Sequence, residues 1–223
     1  MRVEEKWQAV KKQIEQASLK SNHPVTDVTV IAVTKYVTNE RAQEAIDAGI
    51  IHLGENRPEG LLEKQQSIIG QAVWHYIGTM QTRKVKDVID HVDYLHSLDR
   101  ISLAKEIQKR AASPVNCFVQ VNVSGEESKQ GLFQENAISF IKEIAGYDKV
   151  RVVGLMTMAP NTKDQKVLRQ CFKNLKALQV EIQNQHFEHA PCTELSMGMS
   201  NDFEIAIEEG ATFIRVGTAL VGE

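Results

Sequence analysis

Short runs rich in Val and Ile alternate, along most of the chain, with stretches whose apolar positions recur every three or four residues. The runs at 28–34, 50–54, 73–77, 92–97, 115–123, 150–155, 192–196 and 212–216 predict eight strands. Helical patterns lie between them at about 38–48, 57–69, 81–90, 99–111, 134–145, 163–184 and 200–209, with Thr38, Asp99 and Asn201 placed as N-caps. Ahead of the first strand, Val3, Trp7, Val10, Ile14 and Ala17 share one stripe of a helix over residues 2–20, which Asn22-His23-Pro24 then breaks. Buried strands separated by helices are the pattern of parallel βαβ units. Eight such units predict a closed (β/α)8 barrel with an additional N-terminal helix, an α/β fold. No Gly-x-Gly-x-x-Gly follows the first strand to favour an open doubly wound sheet, and no linker or low-complexity tract divides residues 1–223, so a single domain is expected.

Composition removes several classes of function. A formal charge of −3 provides no basic field for a phosphate backbone, and no nucleic-acid partner is expected. No apolar stretch approaches the length of a membrane span, and Met1-Arg2-Val3-Glu4-Glu5 is too polar for a signal peptide. Cys117, Cys171 and Cys192 cannot complete a disulfide framework. A cytoplasmic protein with reduced thiols is expected. His186, His189 and Cys192 have a metal-like spacing, but they straddle Pro191 and lack a fourth ligand, so no metal site is assigned.

The candidate chemistry begins at Lys35. It follows the run Val28 to Thr34, so its amine leaves a strand at the C-terminal end, the face on which barrels build their sites. Desolvation there favours the neutral amine, which can attack a carbonyl to form a Schiff base. After the last strand, Gly217-Thr218-Ala219 is a small-residue turn whose amides and hydroxyl could hold a phosphate. Barrel closure makes the last strand the neighbour of the first, and a reactive amine beside a phosphate cup suggests pyridoxal 5'-phosphate (PLP). The same face should receive Glu55, Asn56, His75, Gly78, Met156 and the segment Ser196 to Ser200. Alternation along the strand points Arg215 inward, where it needs a partner. By the same alternation Trp74 and Tyr76 pack beneath the helices while His75 faces the barrel axis. Each signal has an ordinary reading as well: a solvated edge lysine, a common turn, a core histidine.

Seven segments taken together resemble one family. They are Ile31-Ala32-Val33-Thr34-Lys35, Leu53-Gly54-Glu55-Asn56, Trp74-His75-Tyr76-Ile77-Gly78, Gln120-Val121-Asn122-Val123 with Glu127 and Lys129-Gln130-Gly131, Gly154-Leu155-Met156, Leu195 to Ser200 with Asp202, and Arg215-Val216-Gly217-Thr218. The chain is similar over nearly its whole length to the YggS/PROSC group of PLP homeostasis proteins. That resemblance implies the barrel of alanine racemase, a type III PLP fold, with Lys35 holding the cofactor as an internal aldimine. It places Ser200, Gly217 and Thr218 on the phosphate, with Ser196 a further member. Arg215 faces the pyridine nitrogen, and Asn56, His75 and Met156 line the ring. The rim segments Arg57-Pro58-Glu59-Gly60 and Gly78-Thr79-Met80-Gln81 depart from the usual pattern.

An arginine at the ring nitrogen donates a hydrogen bond without releasing a proton, so the ring is a weaker electron sink than it would be beside an acid. The resemblance accordingly implies storage, buffering or delivery of PLP, with PLP-dependent apoenzymes as possible receivers. The alternatives are a weak PLP-dependent racemase, which would need a second base that the sequence does not offer, and a Schiff-base aldolase. The polar run Ser124 to Lys129, following the fifth strand, is either a solvated loop or a cover for the cofactor face, and a monomer is expected.

Overall fold

The computed structural model describes residues 1–21, 24–126 and 129–222. Eight parallel strands close into a barrel: β1 (Thr29–Val33), β2 (His52–Glu55), β3 (Val73–Tyr76), β4 (Tyr94–Leu98), β5 (Val115–Asn122), β7 (Val150–Met156), β8 (Glu194–Met199) and β9 (Phe213–Val216). A two-residue strand, β6 (Leu132–Phe133), adds parallel to the end of β5 and was not expected. β9 pairs with β1, Ile31 opposite Arg215 and Ala32 opposite Val216, so the chain's last strand lies beside its first. The helices α1 (Val3–Ser21), α2 (Asn39–Asp47), α3 (Pro58–Ser67), α4 (Val85–Val88), α5 (Ile101–Arg110), α6 (Gln134–Glu143), α7 (Gln165–Gln183) and α8 (Phe203–Glu208) surround it.

Two apolar layers hold this arrangement. Outside the sheet, Leu53, Trp74, Tyr76, Leu95, Cys117, Leu155 and Leu195 pack against the helices, while Ile31, Phe118, Val153, Met156 and Phe213 pack with Tyr94 inside the barrel. The separation follows the two-residue period of strands, interrupted in β7 by a register shift against β5 that leaves Val153 inward and Leu155 outward, and Trp74 and Tyr76 lie outward while His75 lies inward, as expected. On α1 the stripe Val3, Val10, Ile14 and Ala17 is buried, with Trp7 partly so, against α8 and α2. No helix among the described residues is long and apolar enough to cross a membrane.

Several boundaries differ from expectation. The stretch 81–90 is one turn of α-helix between two 3-10 turns, not a continuous helix. Thr38 caps α2 by accepting from the Arg41 N–H, but Asp99 pairs with Arg100 and does not cap α5. Asp202, not Asn201, occupies the position before α8. β8 runs to Met199, three residues beyond the predicted end, so Ser196 is inside the strand and fully buried and does not follow it. The extension needs Gly198, whose φ of 91° is left-handed and whose missing Cβ would lie 2.6 Å from that of Ala206.

Candidate functional site

The mouth at the strand C-termini opens into a cavity of about 520 Å³, lined among others by Lys35, Asn56, Met156, Ser200, Arg215, Gly217 and Thr218. Seven of the nine predicted site residues thus share one space. Lys35 also borders an adjoining cavity of about 390 Å³ against α2 and the C-terminal turn. The lysine is half-buried, with Nζ 4.9 Å from the centre of the exposed Tyr36 ring, so it stands at the mouth's edge and is not enclosed by apolar strand residues as expected.

Its approach is braced from below. The Thr34 hydroxyl donates to Glu55 Oε1 at 2.6 Å, and the same oxygen pairs with Lys64 Nζ at 3.2 Å, with both charged groups buried. The carboxylate lies against the first turn of α3, where the helix dipole favours it: a Cβ on Gly60 would be 3.0 Å from Glu55 Oε2. Across the mouth, Gly78 has no room for a side chain, since a Cβ would lie 2.5 Å from the Asn56 carbonyl oxygen. Asn56 is held there with its side-chain Oδ1 buried and without a hydrogen-bond partner among the described residues. Such a group at the edge of a cavity is available to a ligand.

At the junction of β8 and β9, the Gly217 and Ala219 N–H groups both donate to the Ser200 hydroxyl, at 3.1 and 3.5 Å. Two backbone amides aimed at one oxygen form an anion-accepting geometry. The Arg215 guanidinium, 5 % exposed, donates to Ser196 Oγ at 2.6 Å and to the Thr157 carbonyl at 2.9 Å. Burial lowers its pKa to about 10, with Asp202 acting in the opposite direction, so it is cationic at neutral pH. Asp202 accepts from the Met199 N–H at 2.5 Å, and its own pKa is raised by burial.

His75 and Ser196 do not reach this cavity. His75 is fully buried one layer down, stacked on Tyr94 with centroids 4.6 Å apart, so its expected place beside the cofactor ring is corrected to the barrel interior. Its neighbours there, His52 and His96, were not singled out from the sequence. The signal was present, because His96 shares the parity of Tyr94 on β4, as His52 does of Gly54 on β2. Burial pushes the pKa of His75 and of His96 well below the usual imidazole range.

Comparison with known proteins places this geometry in context. Residues 6–223 match the family model for the alanine racemase N-terminal domain. The PLP homeostasis protein of Aquifex aeolicus is 38% identical over 223 residues, 98% of this chain and 97% of the relative. The chain belongs to this family. The homeostasis protein of Pseudomonas aeruginosa is 34% identical, covering 93% of this chain and 89% of its own. Among solved structures, PipY of Synechococcus elongatus with PLP bound superposes with a TM-score of 0.83 at 31% identity, over 96% of this chain and 100% of PipY. An alanine racemase of Clostridium difficile shares the barrel alone, with a TM-score of 0.75 at 14% identity over 94% of this chain and 56% of that one.

Beside the mouth, Asn122 organises the loop after β5: its side-chain N–H donates to the Glu126 carbonyl at 2.8 Å and its oxygen accepts from Ser124 and Gly125. Lys129 pairs with Glu126 at 2.8 Å. Glu127 and Ser128, part of the expected cover, lie outside the described residues. His189 meets the Ile141 carbonyl at 2.9 Å, and Cys192 is buried as a free thiol.

Proposed function

We propose that this chain binds PLP in the mouth cavity and serves its homeostasis, by storage, buffering or delivery. Lys35 is the covalent anchor. Ser200, Gly217 and Thr218 take the phosphate, Arg215 faces the ring nitrogen, and Asn56 and Met156 line the ring. The observation that carries the reading is the gathering of these seven side chains and backbone groups on one cavity, in a chain 31% identical to a PipY that was solved with PLP. Bound there, PLP would supply an aldehyde that condenses with an amine. Arg215 would offer only N–H donors to the ring nitrogen, which would favour its unprotonated form.

A carrier fits better than an enzyme. Among the described residues lining the cavity, the titratable side chains are Lys35, Asp202 and Arg215; Asp202 is engaged by the Met199 N–H, and His75 lies too deep to act as a second base. The two relatives compared are named as homeostasis proteins, and the likeness to alanine racemase is one of fold, which carries no activity with it. The proposal extends to a monomeric, single-domain protein that passes PLP to PLP-dependent apoenzymes, and to a cytoplasmic location, for which the three free, buried thiols are the support.

Incubated with PLP and a panel of amino acids in deuterated water, the protein should exchange α-protons no faster than free PLP does, while titration shows saturable binding. Rapid exchange of any amino acid, lost in Lys35→Ala, would establish the racemase-like alternative. Ser200→Ala and Thr218→Ala should each weaken PLP binding by about 1.5–3 kcal/mol, the worth of a hydrogen bond to a charged group. Unchanged affinity in both variants would place the phosphate elsewhere.

A further inference from the structure

The interior of the barrel carries a continuous polar chain among aromatic rings. His52 Nδ1 lies 2.9 Å from His75 Nε2, His75 Nδ1 lies 2.9 Å from His96 Nε2, and His96 Nδ1 lies 2.9 Å from Ser196 Oγ. The chain ends on Arg215, whose Nη1 is 2.6 Å from the same Ser196 oxygen. It therefore runs from half-buried His52, at the N-terminal end of β2, to the guanidinium beneath the mouth cavity. Stacking fixes the two inner rings, His75 on Tyr94 and His96 on Phe118, with centroids 4.6 and 4.3 Å apart.

We propose that His52, His75, His96 and Ser196 form a one-way hydrogen-bonded relay whose direction is set by Arg215 and which holds and electrostatically supports that guanidinium. The direction follows from the donor inventory. Arginine has no acceptor, so Ser196 must accept from it, and among the described residues the hydroxyl's single hydrogen has one remaining partner within hydrogen-bond distance, His96 Nδ1. His96 then carries its proton on Nε2 and donates to His75 Nδ1. His75 in turn carries its proton on Nε2 and donates to His52 Nδ1. One proton fits between each pair of facing nitrogens, so both inner imidazoles are neutral.

The shared direction has an electrostatic consequence. The hydroxyl oxygen and the bare Nδ1 of each ring point toward Arg215, and each N–H points away. The negative ends of four aligned dipoles therefore face a buried cation whose direct hydrogen bonds go to neutral oxygens, those of Ser196 and Thr157. Ser196, His96 and His75 are thus positioning residues: they act on a cofactor through Arg215 without touching it. That functional half rests on the PLP reading above, while the direction of the relay does not.

Nitrogen-15 NMR of histidine-labelled protein without cofactor tests the direction. His75 and His96 should each appear as a single neutral Nε2–H tautomer at pH 7. An Nδ1–H form or a cation at either position would overturn the relay. Arg215→Lys, which keeps a pure donor, should preserve the tautomers. Arg215→Met should mix them, and a single unchanged tautomer there would show that Arg215 does not set the direction. With PLP, Ser196→Ala and His96→Phe should raise Kd about tenfold, and Ser196→Thr should restore it. Wild-type affinity in the Ala and Phe variants would overturn the electrostatic support. If the wild-type protein fails to bind PLP, the proposed function falls while the tautomer result stands.

Discussion

Lys35→Ala is expected to abolish covalent retention of PLP. Borohydride reduction of the wild-type protein loaded with PLP should fix about one pyridoxyl group per chain, and peptide mapping should find it on Lys35. The expectation rests on placement: Lys35 stands two residues beyond the end of β1, next to the β9 turn, and it borders both the mouth cavity and the adjoining one. A label of equal stoichiometry in the alanine variant, or one mapped to Lys129, would move the anchor elsewhere. Because Lys35 is half-buried at the edge of the cavity and makes no hydrogen bond or ion pair among the described residues, the variant should remain folded, with an unchanged melting temperature.

Lys64→Ala is expected to destabilise the fold by about 3–5 kcal/mol, because it leaves the Glu55 carboxylate buried without its cation. The pair is 3.2 Å apart, with side chains 7 % and 1 % exposed, so solvent cannot take over the lost interaction. Replacing both partners, as in Lys64→Met with Glu55→Leu, should recover most of that loss, since the desolvation penalty goes with the charges. Denaturant unfolding of the single and double variants measures both; a single variant within 1 kcal/mol of wild type would show that the pair holds nothing together. The double variant should bind PLP more weakly than its recovered stability suggests. It loses the carboxylate oxygen that accepts from Thr34, the residue directly before Lys35.

Thr38 shows how local a legible signal has to be. It caps α2 by accepting from the Arg41 N–H at 3.2 Å, a contact within three residues, yet Asp99, two residues ahead of α5, is drawn to the neighbouring Arg100 instead. Side-chain competition of this kind is settled by geometry that a periodic pattern does not contain.

The sequence by itself determined the repeating unit and its closure. Near-continuous Val- and Ile-rich runs, set between helical periods, specify buried parallel strands, and eight of them leave a barrel as the arrangement that satisfies every strand edge. Lys35 after the first strand and Gly217-Thr218 after the last follow from that, because closure puts those ends side by side. Only the tertiary structure decided depth. Whether Ser196 and His75 meet the cavity or lie beneath it depends on how far β8 extends past Gly198 and on the register of β3 with β2 and β4. Neither is written in hydrophobic alternation, which specifies the side of the sheet a residue faces but not its height along the barrel axis. His52, His75, His96, Ser196 and Arg215 come from five strands, and their heights place polar atoms within 3 Å of one another only once all eight strands are in register.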